Sequence, residues 1–90
     1  MPFLSYPGSS TIGGSIRPSG YSIYYRTSAQ LPEVVDHYRK LLPTWAEKPC
    51  VVGDWGERRL VSDLNPEESI IFGHSIEQPG TTEILVHLSN

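Results

Sequence analysis

The chain lacks most of the residues that announce a chemistry. It has a single cysteine, Cys50, in 90 residues, which excludes an internal disulfide and any multi-cysteine zinc or iron–sulfur site. Seven Lys and Arg stand against ten Asp and Glu, for a formal net charge of −3. No basic run is longer than two residues, so the cationic stripe that a phosphate backbone requires is missing and no nucleic-acid partner is expected. No apolar run approaches the ~18 residues of a membrane helix. Met1-Pro2-Phe3-Leu4 leads into Gly, Ser and Pro instead of a hydrophobic signal region, which places the chain in the cytoplasm by default, or outside it if a signal peptide has been removed. The three histidines, His37, His74 and His87, show no H-x-H or H-x-x-x-H spacing, so neither a metal nor any other cofactor is expected.

What is present fits one small domain, since a chain of this length buries a little over ~60% of its unfolded surface. Residues 1–20, dominated by Gly, Ser and Pro from Pro7 onward, read as an irregular N-terminal arm, either mobile or packed on the core or on a neighbouring subunit through Phe3, Leu4, Tyr6 and Ile12. Gly13-Gly14 lacks the spacing and the following Lys-Ser/Thr of a phosphate cradle.

Residues 21–90 form the domain proper. Tyr21 to Thr27 alternates as a strand. Thr27 and Gln30 have capping-box spacing, and Pro32 suits a first helical turn. Leu31, Val34, Val35, Tyr38, Leu41 and Leu42 then fall on one helical stripe, opposite Glu33, Asp36, His37, Arg39 and Lys40. Pro43 ends the helix, and Trp45 is expected to plug the core beneath its end.

Strands follow over 45–53 and 57–64, joined at Gly53-Asp54-Trp55-Gly56, and over 70–77 and 83–88. For the last hairpin, pairing Ile76 with Ile84, His74 with Val86 and Phe72 with Leu88 gathers the apolar residues on one face and turns His74 toward the core. Cys50, in an apolar strand, reads as a small buried hydrophobe, and Asp54, Asp63, Glu67, Glu68, Glu77 and Glu83 read as solvated turn carboxylates. No catalytic residue is assigned.

The fold class is therefore α+β: one amphipathic helix on one face of an antiparallel sheet of about five strands, in the order βαββββ after the arm. A single helix covers one face only. On the other face the alternation places Tyr24, Arg26, Arg59, Val61, Ile71, Gly73, Ser75, Leu85 and His87. Tyr24, Arg26, Arg59, Ile71, Leu85 and His87 are the candidate binding or interface residues, because aromatic and Arg side chains are enriched at binding hot spots. The expected role is non-catalytic binding or assembly through that face or a sheet edge, including as a homodimer. The alternative is a small enzyme or ligand-binding protein whose pocket forms between subunits, with Arg26, Arg59 and His87 as its polar groups.

Tyr6-Pro7-Gly8, Tyr24-Tyr25-Arg26-Thr27, Pro32-Glu33-Val34-Val35, Tyr38-Arg39 and Trp45 resemble the Y-P-G-A, Y-x-T, P-E-E-V-x-x-F-Y and G-W pattern of small uncharacterised bacterial α+β domains, with Thr44 in place of the usual Gly. That resemblance implies a fold and no activity. The order strand, helix, three strands, with His37-Tyr38-Arg39 and Leu41-Leu42, is also similar to one βαβββ module of the vicinal-oxygen-chelate superfamily. Tyr21 to Arg26 holds neither the His nor the Gln of its metal-binding members, so this resemblance implies a metal-free module that pairs with another to form a cup.

Overall fold

The computed structural model describes residues 4–49 and 56–89. Six strands and one helix follow in the order β1 (Ser10–Arg17), β2 (Gly20–Thr27), α1 (Leu31–Leu41), β3 (Ala46–Pro49), β4 (Gly56–Val61), β5 (Ser69–His74) and β6 (Thr82–Ser89). They build one sheet, ordered β1-β2-β6-β5-β4-β3, in which every neighbouring pair is antiparallel. The α+β class stands as expected, with six strands instead of five.

The additional strand is β1, which occupies much of the expected irregular arm. Arg17-Pro18-Ser19-Gly20 makes a two-residue turn, with Pro and Gly where a type I turn favours them. Gly20 is also required by contact, because a Cβ there would lie 2.1 Å from the Leu88 carbonyl oxygen. Once turned, the chain pairs back along Tyr21 to Arg26 from Ile16 to Ser10, with a bulge between Thr11 and Gly13. The glycines that read as loop are accommodated within a ladder. Further back, the arm lies on the helix side: Leu4 is buried in the core, Tyr6 packs against it, and the Tyr38 hydroxyl donates to the Leu4 carbonyl.

Helix α1 begins one residue after Gln30, which makes no side-chain cap. Thr27 is buried in β2, and its Oγ1 accepts from the Ala29 N–H at 3.3 Å instead of capping the helix. Leu31, Val34, Val35 and Tyr38 are buried, whereas Leu41 is 51% exposed because the helix ends there and Leu42 turns inward in its place. The core is completed by Tyr25, Leu60, Ile70, Phe72, Ile84, Val86 and Leu88. Tyr38 and Phe72 meet at 5.5 Å between ring centroids, setting the helix over β5. Trp45 packs against this core as expected.

The last hairpin keeps the expected faces in a different register. Phe72 pairs with Ile84 and Ile70 with Val86, so Leu88 lies beyond the end of β5. The loop spans residues 75–81 and is closed by the Ser75 N–H on the Thr81 carbonyl at 3.0 Å. Ile76 is consequently outside the ladder and 67% exposed. His74 ends β5 in solvent, with its ring Nδ1 against the Glu57 carboxylate, instead of reaching the core. Cys50, Asp54, Trp55 and the turn at residues 53–56 lie wholly or largely outside the described residues.

Candidate sheet face and edge

Cross-strand pairing lines up Arg59, Ile71, Leu85 and Tyr24 as consecutive neighbours across β4, β5, β6 and β2. This is the row that the alternation in the sequence placed opposite the helix. Arg26 flanks it beside Glu83, and His87 flanks it on the other side beside Ser22. All six candidate residues share one face, but the structure does not gather them at one point. Arg26 and the His87 partner Ser22 are four residues apart on β2, about 13 Å along the strand.

Each flank is a closed polar arrangement. Glu83, read from the sequence as solvated, is buried. Its Oε2 accepts from Arg26 Nη2 at 2.7 Å, Arg26 Nε at 3.2 Å and Ser75 Oγ at 2.7 Å, and its Oε1 accepts from the Tyr24 hydroxyl at 3.0 Å. Burial pushes the Glu83 carboxyl up, but the hydrogen bonds from Ser75, Arg26 and Tyr24 and the Arg26 charge hold it below the usual carboxylate value. Burial and the hydrogen bond to Glu83 push the Tyr24 phenol up.

On the other flank, Arg17 Nη2 donates to Ser22 Oγ at 3.1 Å, and Ser22 Oγ lies 2.6 Å from His87 Nδ1. Burial, with the Arg17 charge, lowers the His87 pKa. Ile71 is only 5% exposed, and Tyr24, Arg26, Arg59, Leu85 and His87 are half-buried. Arg59 Nε is buried without a hydrogen-bond partner among the described residues.

Arg26 and His87 border different hollows. Arg26 lines one of about 410 Å³ with Ile12, Tyr24, Glu77 and Glu83. His87 lines one of about 360 Å³ with Arg17, Glu67, Ser69 and serines at the strand ends. Among the described residues, no group of three or more His, Cys, Asp or Glu converges as a metal site would.

The exposed element is β1, which sequence reasoning passed over. All eight of its residues are solvent-exposed, and among the described residues its outer edge carries no neighbouring strand. On the helix side of the sheet, Thr11, Gly14, Ile16, Tyr21 and Ile23 border a groove of about 620 Å³. Ile16 is 90% exposed there. Ile12 borders two further hollows, beside Arg26 and near Ser28.

The other edge, β3, is described over Ala46–Pro49 and carries the exposed charges of Glu47 and Lys48 before Pro49. Charge and proline are usual protections of a sheet edge. Between the turn and its bulge β1 has none of these except Arg17. The signal available in the sequence was Ile12-Gly13-Gly14-Ser15-Ile16, an uncharged stretch of β-formers and small residues directly before Pro18-Ser19-Gly20.

No family model, curated protein or solved structure matches the chain.

Proposed function

We propose that this chain is a non-catalytic assembly domain that receives an extended strand along the outer edge of β1. One observation carries the reading: β1 is exposed over all eight residues and uncharged up to Arg17, while the described part of the opposite edge carries Glu47 and Lys48. Strand addition takes affinity from main-chain hydrogen bonds and selectivity from pockets for alternate side chains. The groove beside Gly14 and Ile16 supplies such a pocket. The face opposite the helix serves as the support of this edge, because Arg26, Glu83 and Tyr24 are already bonded to one another and His87 is held against Ser22.

The reading keeps what both resemblances share, an α+β module without an activity of its own. A shared catalytic pocket is disfavoured by the separation of Arg26 from His87.

The test is a titration of the dilute, isotope-labelled chain with a synthetic eight-residue peptide of alternating Thr and Val, unrelated to β1, followed by amide chemical shifts. Strand addition moves the amides of residues 13–17 and of facing β2. Shifts confined to Ile71, Leu85 and His87, or no shifts at all, would overturn it.

A further inference from the structure

We infer that the strand received at β1 is β1 of a second copy of this chain, paired antiparallel about a two-fold axis beside Ser15. The inference rests on the edge reading above and names its occupant.

Arg17 and Gly20 flank the turn and close the β1–β2 hairpin. Antiparallel ladders alternate hydrogen-bonded with non-bonded pairs. Counted back from the closing pair, Arg17, Ser15 and Gly13 direct their backbone groups at β2, while Ile16 and Gly14 direct theirs outward. A two-fold copy engages the outward groups when Ile16 faces the partner's Gly14 and Gly14 faces the partner's Ile16.

That register is sterically self-complementary. Ile16 lies across from the partner's Gly14, Arg17 across from the partner's Gly13, and Ser15 across from the partner's Ser15. Each bulky side chain thus meets a residue that has none. Ile16, which stands 90% exposed in one copy, then covers the partner's Gly14 and enters the groove bordered there by Tyr21 and Ile23.

Neighbouring registers fit less well. Moving by two residues sets Ile16 against the partner's Ile16 and brings Pro18 into the ladder, or else sets Ile16 against the partner's Ile12 at the bulge. Moving by one residue presents backbone groups already used by β2.

Charge agrees with the steric pattern. Arg17 is the only charged residue of β1, and antiparallel pairing leaves the two copies of it about 14 Å apart along the strands. That exceeds the Debye length of about 8 Å at physiological salt. Parallel pairing would set them side by side. The contact uses the same patch on both copies and therefore closes.

The test is sedimentation equilibrium of the full chain from micromolar to near-millimolar concentration, with three variants. Wild type is expected to reach twice the monomer mass. Ile16→Lys, at a site too exposed to affect the fold, should raise the dimer Kd by roughly a hundredfold or more, since the two-fold counts the loss twice.

In a Cys50→Ser background, Ser15→Cys should oxidise to a covalent dimer, because a non-bonded antiparallel pair sets Cα atoms about 4.5 Å apart, within disulfide range. Thr11→Cys, outside the paired stretch, should not. A chain monomeric at every concentration overturns self-pairing, while the peptide titration decides the edge reading separately. A dimer indifferent to Ile16→Lys also overturns self-pairing at β1, and equal cross-linking at positions 11 and 15 overturns the register.

Discussion

Replacing Glu83 with Gln separates two carboxylates that share one arginine. Glu83 has a side chain 9% exposed and lies 2.7 Å from Arg26 Nη2, whereas Glu77 is 82% exposed and lies 3.4 Å from the same nitrogen. Glu83 also accepts from Tyr24 and Ser75. Glu83→Gln keeps the shape but removes the charge and turns one acceptor into a donor facing donors. A hydrogen bond to a charged group contributes about 1.5–3 kcal/mol. With one acceptor oxygen retained, the expected net loss is about 2–3 kcal/mol, whereas Glu77→Gln should cost about 0.5 kcal/mol or less, as exposed pairs do.

Urea titration followed by tryptophan fluorescence measures both, and a loss of this size lowers Tm by roughly 10–20 °C in a domain of this length. Because the folded-state Glu83 carboxyl lies below its ordinary value of 4.5, its contribution is present above that pH and is lost as pH falls through the folded-state value. Wild type should therefore lose stability more steeply than Glu83→Gln below about pH 4.5. Equal stabilities for Glu83→Gln and Glu77→Gln would refute the reasoning.

Other perturbations address separate parts of the molecule. Val35→Asp puts a carboxylate where the native side chain is 1% exposed and should abolish the cooperative thermal melt seen by circular dichroism. Gly20→Ala should cost about 3 kcal/mol in a urea melt, since its Cβ would overlap the Leu88 carbonyl. Gly13→Ala meets only Tyr24 Cβ at 3.9 Å and should change stability by less than about 1 kcal/mol. His87 should titrate by NMR below its ordinary value of 6.5, and Arg17→Gln should move the midpoint upward by removing the nearby charge.

The parts of the fold legible in the sequence are those that depend on periodicity. Parity alone placed Arg59, Ile71, Leu85 and Tyr24 on one face, and that placement survives the changed register because 72↔84 and the expected 72↔88 differ by an even number of residues. The stripe Leu31, Val34, Val35 and Tyr38 was legible for the same reason.

What was hidden depends on pairing between distant segments. Ser10 to Arg17 has little strand character of its own, and its state is set by the ladder with β2. Glu83 reads as a surface charge until Arg26, Tyr24 and Ser75 are brought round it. The 75–81 loop is held by Ser75 and Thr81, a closure that turn composition at Pro79-Gly80 does not reveal. The edge was missed because sequence patterns report which face a residue takes and say little about which strand is outermost.

Amide hydrogen exchange at Gly14 and Ile16 tests the edge-paired dimer most directly. Their N–H groups point away from β2 by the alternation of the ladder, so only a strand added outside β1 can bond them. They should be protected in concentrated solution to the same degree as Gly13 and Ser15, and lose that protection on dilution. Free exchange at Gly14 and Ile16 at every concentration, with Gly13 and Ser15 protected throughout, would contradict it.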